Sequence, residues 1–508
     1  MDELVAELSE VVKGRTLVWL QARGVLEVAS LTVIQDAMAR VGRAAAEAVG
    51  AAWRETLVLL AEVVRHCPRC GRRRKCKWRS SQPLRIEVLG FTVELPKLYL
   101  ECGHCDAPGL SVVTLLTGLS SGEASGQLKL VTAYCASAKS YGDSRRDLAV
   151  HYGQDLERTK LRRLALEVEQ VAMAFAEAER GVQIKRLGAE GRTKGVPLIL
   201  TEADGGKVRA GTLVPCEQGD AGFGQRTPKR DLPRRKRPSS FREVITMDAR
   251  EPGATECSAL DALVPVRAAA GERARRMLAL AGRKGLGSNT RSIGLGDMGS
   301  ELAAAFDEAF FDYPGSFWNA DWKHSCDYVE AVRKVLSKRF DGLGWATSIK
   351  DAIWNRDQAQ RDVLLAQARA HRVKVLPREL DKCPVATLQT YLTNNWKHMR
   401  FAELKALGLP FVSARAEAQV RVRTKDRFCV AGAWLLDNIE PKATLRAIIA
   451  DGRWPAFREH LLALERTHFE QQVIARLRQA IEDDRLSQQQ VAALGVDLES
   501  IASQQIAA

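Results

Sequence analysis

The sequence predicts an α/β fold in several domains. Three observations carry this: helical spacing of apolar residues over residues 1–64, two Cys-x-x-Cys pairs bracketing a short-strand pattern, and strand periodicity after Gly195 that gives way again to long helical stretches. At 508 residues and 46% apolar the chain can bury a large core, and at roughly 100 to 200 residues per domain it divides into about three or four units. Lys plus Arg number 76 against 62 Asp plus Glu, a net charge of +14 that favours a polyanionic partner, nucleic acid or an anionic membrane surface. The N-terminus, Met1-Asp2-Glu3, is acidic where a signal peptide is basic. No apolar run approaches the roughly 18 residues of a spanning helix. The expectation is a soluble, cytoplasmic protein with no membrane partner, nucleoid-associated when on DNA. Eleven unevenly spread cysteines do not form a secreted disulfide framework.

The elements follow in order. Residues 1–64, with an alanine-rich stretch from Ala44 to Trp53, read as a helical N-terminal region. Residues 65–110 read as a zinc ribbon: Cys67/Cys70 and Cys102/Cys105 are separated by 31 residues that can form a hairpin, and two thiolate pairs close a four-sulfur structural Zn2+ site. Unrelated buried or redox cysteines are the plain alternative. Arg65 to Arg79 holds eight Lys or Arg and no acid, with Trp78 inside it. Arg72, Arg73, Arg74, Lys75 and Lys77 are therefore candidate phosphate contacts, against the alternative of a solvated basic loop.

Over 111–190 three helices are predicted, Leu128 to Ala138, Ser144 to Tyr152 closed by Gly153, and Leu156 to Val171, a spacing that suits a helix-turn-helix. Arg145, Arg146, Arg158, Lys160, Arg162 and Arg163 decorate the second and third. Strands are predicted at Val196 to Thr201, Phe241 to Met247, Arg291 to Asp297 and Ser316 to Asp321, with a helix over Glu301 to Phe310. Arg226 to Pro238, with seven basic residues, one acid and three prolines, reads as a loop or hairpin extension whose Arg234, Arg235, Lys236 and Arg237 are further candidate DNA contacts. Helical periodicity runs from Ser325 to about Ala370, an amphipathic stretch covers Ala414 to Ile439, and the chain is helical and charged from Thr444 to its end.

Asp204 follows the first of those strands, Asp297 ends the third, and Glu417 lies on a helix further on. Carboxylates emerging from adjacent strand ends into one crevice can hold two divalent ions about 3.5 to 4 Å apart for in-line phosphoryl displacement. An ordinary Asp-Gly turn is the alternative at Asp204.

The chain resembles insertion-sequence transposases of the ISKra type, in the Mutator-like group of DDE enzymes with an RNase H-like catalytic core. The resemblance rests on Glu202-Ala203-Asp204-Gly205, on Gly296-Asp297-Met298-Gly299-Ser300-Glu301-Leu302 with Asn319-Ala320-Asp321-Trp322-Lys323-His324, and on Gly408 through Glu417 with the trailing Arg427, Gly432 and Trp434. With Leu445-Arg446-Ala447, Gly452-Arg453-Trp454, Phe457 and the cysteine ribbon it spans about Cys67 to Leu462. It implies a metal triad of Asp204, Asp297 and Glu417 binding two Mg2+ (or Mn2+) ions, and it places Asp321 and His324 in the family's Asp-x-x-His signature, steadying the core or touching DNA; a buried Asp–His pair is the structural alternative. It implies an RNase H-like core, a mixed sheet with flanking helices, over 191–324, interrupted by an all-helical insertion over 325–407, rejoined by 408–440 carrying Glu417 and followed by a helical region over 441–508. Trp354 and Trp396 in the insertion are expected in its core. Two departures stand out: Met298 follows Asp297 where the family has glycine, and Ser413-Ala414-Arg415 replaces Gly-Ser-Gly before the glutamate.

The activity expected is that of a DNA transposase, binding the terminal repeats of a mobile element, cutting, and joining the freed 3′ end to target DNA, as a homodimer or higher assembly on double-stranded DNA. A non-catalytic DNA-binding protein derived from such an enzyme, or a structure-specific nuclease, are the alternatives.

Overall fold

The computed structural model describes residues 54, 57–89, 91–117, 122–188, 193–221, 223–226, 232–253, 258–298, 301–373, 383–422, 426–429 and 434–494. They form a mixed α/β fold in two compact units, Met1–Val168 with Arg458–Ala508, and Glu169–Phe457. Most of the helical region expected over 1–64 lies outside the described residues; 57–63 are helical. Among the described residues no helix is long and apolar enough to cross a membrane.

The first unit is built on a four-stranded sheet. Strands β1 (Lys75–Val88) and β2 (Phe91–Glu101) form a long antiparallel hairpin, flanked by β3 (Leu110–Ser111) and β4 (Glu123–Ala124) in the order β3-β2-β1-β4. Its apolar face, Leu84, Leu98 and Leu100, packs with Leu477, Ala480, Leu486 and Val491 from the C-terminal helices. The helical region expected over 441–508 is therefore divided, 441–457 belonging to the second unit and 458 onward to the first. The cause is burial: the leucines of a two-stranded ribbon need a covering layer, and those helices supply it.

The three expected helices are present as α1 (Gly126–Ala138), α2 (Tyr141–Tyr152) and α3 (Arg158–Gly188), the last continuing well past the Val171 end expected. Ser125 and Ser140 cap the first two, each accepting a backbone N–H three residues on, and Gly153 closes α2 in the left-handed conformation at φ 63°. Two residues separate α1 from α2, a turn tight enough for a helix-turn-helix.

The second unit holds the large sheet. Its strands are β5 (Leu198–Gly211), β8 (Ser239–Arg250), β9 (Ala259–Leu263), β10 (Arg291–Gly296) and β11 (Phe317–Ala320), in the order β11-β10-β5-β8-β9. A short hairpin of β6 (Val214–Pro215) and β7 (Arg235–Lys236) extends the β5–β8 connection, and β12 (Trp434–Leu435) pairs with β5. Strands β5, β10 and β11 run parallel; β8 and β9 are antiparallel to their neighbours.

Two strands are longer than predicted. Strand β5 continues through Asp204-Gly205-Gly206, because β8 pairs with it across all three residues. Asp204 is thus mid-strand and not at a strand end, and no Asp-Gly turn forms. Helices α4 (Glu272–Arg283) and α5 (Leu302–Ala309) share a core with one sheet face, including Met247, Phe306 and Trp318. The expected helical block after β11 is seen as α6 (Trp322–Arg333), α7 (Gly342–Asn355), α8 (Gln358–His371), α9 (Pro384–Asn395) and α10 (Phe401–Ala406). Trp354 stacks among Trp322, Phe401 and Phe411, and Trp396 lies under the Arg361 guanidinium at 4.3 Å, so both serve the block's own packing. The amphipathic stretch from Ala414 yields α11 (Ala414–Val420), and α12 (Ile439–Ala450) follows.

Gly294 and Gly296 on β10 make room for the Trp318 indole on β11. A Cβ at Gly294 would stand 2.1 Å from Trp318 Cε3 and 2.8 Å from Phe306. Gly294→Ala is expected to lower stability by about 1–3 kcal/mol, the usual cost of overpacking a filled core. An unchanged urea midpoint and slope would contradict that packing account.

Candidate functional site

Four cysteines meet at one end of the β1–β2 hairpin. Cys67, Cys70, Cys102 and Cys105 are unbridged, and their sulfurs all lie within 4.8 Å of one another. Cys67 and Cys105 sulfurs are 3.7 Å apart, and Cys102 lies 3.5 Å from both Cys70 and Cys105. A disulfide needs about 2.05 Å, whereas a tetrahedron with zinc–sulfur bonds near 2.3 Å has edges of about 3.8 Å. The cluster could hold a structural metal such as zinc.

The local turn explains the approach. Gly71 at φ 70° lets its N–H reach Cys67 O at 2.8 Å while Cys67 N–H reaches Arg72 O at 2.9 Å. The His104 N–H donates to Cys102 and draws that thiol down to about 6, while burial and the neighbouring sulfurs push Cys105 up to about 12. His104 and Cys76 are outside the cluster.

The carboxylates gather on one face of the large sheet. Leu200, Ile293 and Leu295 cluster there, so Glu202 and Asp204 of β5 and Asp297 just past β10 share that face by the two-residue period of a strand. Leu295 pairs with Glu202 and Gly296 with Ala203, which puts Asp297 beside Asp204; both are half-buried. Asp248 on β8 sits opposite Glu202. Glu202 and Asp248 are buried, and Arg250 joins them, its Nη1 2.6 Å from Asp248 and its Nη2 bonded to Glu202. Burial favours the neutral guanidine, but Glu202 and Asp248 outweigh it and hold Arg250 charged. Sequence reasoning quotes Glu202 within a motif but gives it no role, and passes over Asp248 and Arg250. The alternation Glu202-x-Asp204 and Asp248-x-Arg250 was the available signal.

Helix α11 lies against β5 and β8 and carries Glu417. Lys323 Nζ reaches both Glu417 oxygens, at 2.9 and 3.1 Å, another contact absent from the sequence reading. Among the described residues only the four cysteines bring their ligand atoms within 4.8 Å of one another; Asp204, Asp297 and Glu417 do not close to that distance.

Asp321 is a joint. Its own N–H donates to Gly296 O at 2.9 Å, its Oδ1 accepts the His324 N–H at 3.0 Å to cap α6, and its Oδ2 accepts the N–H and hydroxyl of Ser413. It is 2% exposed, whereas the His324 ring is exposed, so the Asp-x-x-His motif makes a helix cap here and not a buried side-chain pair. Three further residues of this region have partners: Ser413 bonds Asp321, Arg415 Nε stands 3.7 Å from Asp248, and Met298 packs on the neighbouring cores.

The basic candidates divide by exposure. Arg74 is turned inward, 1% exposed, with Nη2 donating to Arg485 O at 2.7 Å, and so is withdrawn from any phosphate. Lys160 is likewise engaged inside, bonding Gly122 O and pairing with Glu87. Arg73 pairs with Glu62, Lys77 with Glu101, Arg145 with Asp155, Arg146 with Asp143, Arg163 with Glu167 and Lys236 with Asp220, all at the surface. Arg72 meets His104 at 3.1 Å and Arg234 meets Gln225. Lys75, Arg158, Arg162, Arg235 and Arg237 are exposed. Surface pairs of this kind are worth little and exchange readily for a phosphate.

No family model matches the chain, and no curated protein is found to match it. The cysteine geometry predicts about one equivalent of zinc per chain. Cys102→Ser should lower retained zinc more than about tenfold, measured by atomic emission after gel filtration; full retention would exclude a four-sulfur site.

Proposed function

We propose that the chain is a DNA transposase whose second unit is an RNase H-like core, a mixed sheet with helices on both faces, interrupted by the helical block between β11 and α11. The observation that carries this reading is the register of β5 and β10, which sets Asp204 and Asp297 side by side on the face crossed by the Glu417 helix.

Three carboxylates are a hard-oxygen donor set of the kind that Mg2+ or Mn2+ takes. Asp204, Asp297 and Glu417 would hold the ions; when bound, these supply a Lewis acid and charge stabilisation for phosphoryl transfer. The remaining work falls to the chain. Arg250, with Arg415 approaching Asp248, offsets the charge of Glu202 and Asp248, leaving the Asp204–Asp297 pair as the acidic edge. Asp321 fixes the end of β10 to the start of α11, so the strand that carries Asp297 and the helix that carries Glu417 are positioned together. Lys323 pairs with both oxygens of Glu417 and orients it; an ion held by Glu417 would have to displace this ammonium. The exposed Arg158 and Arg162 of α3 and the basic β6–β7 hairpin supply sequence-independent phosphate contacts for double-stranded DNA. The cysteine ribbon, filled with zinc, would brace the DNA-binding unit.

The bidentate Lys323–Glu417 pair favours a second reading, a DNA-binding protein that no longer cuts. Both readings meet in one experiment. Supercoiled plasmid carrying the element ends, incubated with the chain and Mg2+, should be cleaved and yield strand-transfer products. Asp204→Asn, Asp297→Asn or Glu417→Gln should each slow cleavage on the order of a thousandfold while leaving DNA affinity intact. Salt-sensitive binding without metal-dependent cutting would establish the second reading instead.

A further inference from the structure

The first unit holds a cationic cavity that the proposed chemistry does not use. It encloses about 420 Å3 between β2, β3 and the helix Trp454–Glu482, within the roughly 300–1,000 Å3 typical of small-molecule sites. Lys97, Arg476 and Arg485 line it, with the hydroxyls of Ser111 and Thr114 and the ring of Tyr99, and its lining includes no Asp or Glu. The walls are fixed in advance. Arg476 Nη1 donates to Thr114 O at 2.8 Å, and the Ser111 and Thr114 hydroxyl oxygens lie 3.0 Å apart. Gly109 seats the aromatic wall, since a Cβ there would come within 2.6 Å of Tyr99 Cε1.

Positive charge beneath the cavity is left over. The carbonyl of Arg485 accepts from Arg74 Nη2, and Arg74 is 1% exposed, with Nε and Nη1 buried and without hydrogen-bond partners. Arg485 Nε is buried and unpartnered in the same way. Of the cavity's own cations Arg485 pairs through one terminal nitrogen with Asp483, while Glu101 pairs with Lys77. Among the described residues no carboxylate pairs with Arg74. Arg74 does not itself line the cavity but is hydrogen-bonded to the carbonyl of Arg485, which does; a buried guanidinium without a counter-charge is costly, and its field favours an anion nearby. Guanidinium forks match phosphate oxygens in geometry and charge.

We propose that this cavity binds the phosphate group of a nucleotide, either free or as part of a nucleic-acid strand. The site stands apart from the carboxylate face and holds whether or not the chain cuts DNA.

Isothermal titration of the full chain at low salt tests it with inorganic pyrophosphate, ADP and a short single-stranded oligonucleotide as probes. Pyrophosphate should bind saturably, and Lys97→Gln and Arg485→Gln should each weaken it about tenfold or more, the loss of one charge-assisted contact. Bound zinc and melting temperature should stay at wild-type values, and Lys97→Gln alone suffices if Arg485→Gln does not fold. ADP weakened by the same substitutions assigns a free nucleotide; an oligonucleotide weakened by them while ADP does not bind assigns a strand phosphate. Absence of saturable pyrophosphate binding, or binding unchanged by both substitutions, overturns the proposal. Asp204→Asn should leave the titration unaltered, which separates its failure from a failure of the transposase reading.

Discussion

Like charge crowded on one sheet face is the constraint around which the second unit is organised. Glu202, Asp204, Asp248 and Asp297 project from three neighbouring strands onto the same side. Two carboxylates about 4 Å apart repel by roughly 1 kcal/mol in water and about 4 kcal/mol near a protein surface, so the arrangement survives only with counter-charge. The chain supplies it unevenly. Arg250 serves the buried pair Glu202 and Asp248, Arg415 approaches Asp248, and Lys323 serves Glu417 from across the site. Asp204 and Asp297 stand half-buried at the edge of this network, where a cation from solvent can reach them.

Positional control comes from one buried aspartate. Asp321 bonds the end of β10 through its backbone N–H and, through its carboxyl group, the first turn of α6 and Ser413 just before α11, so three separate segments meet on a single residue. The Ser413 hydroxyl adds to this joint a side-chain bond to Asp321. Met298, next to Asp297, packs against two cores.

Much of this was legible in the residues. Cys67, Cys70, Cys102 and Cys105 declare their cluster by spacing, and α1 to α3 by apolar period and the Gly153 stop. The strand ends were read less well, since Asp204-Gly205-Gly206 looks like a turn until a partner strand pairs through it. Arg74 looks like its exposed neighbours in a basic run; only the fold shows it turned inward, bonded to the Arg485 carbonyl. Contacts between distant segments, such as Arg250 with Glu202 or Lys323 with Glu417, leave no local pattern. The division of the C-terminal region was hidden for the same reason, because one helix, Trp454–Glu482, contributes residues to both units.

The proposed function requires the Asp204–Asp297 edge to bind a divalent metal. Electron paramagnetic resonance of Mn2+ titrated into the full, zinc-loaded chain tests it most directly. The account predicts saturable loss of the free Mn2+ signal, sharply weakened in Asp297→Asn and strengthened when Lys323→Ala releases Glu417. Mn2+ binding that is absent from the wild-type chain, or indifferent to both substitutions, would contradict it.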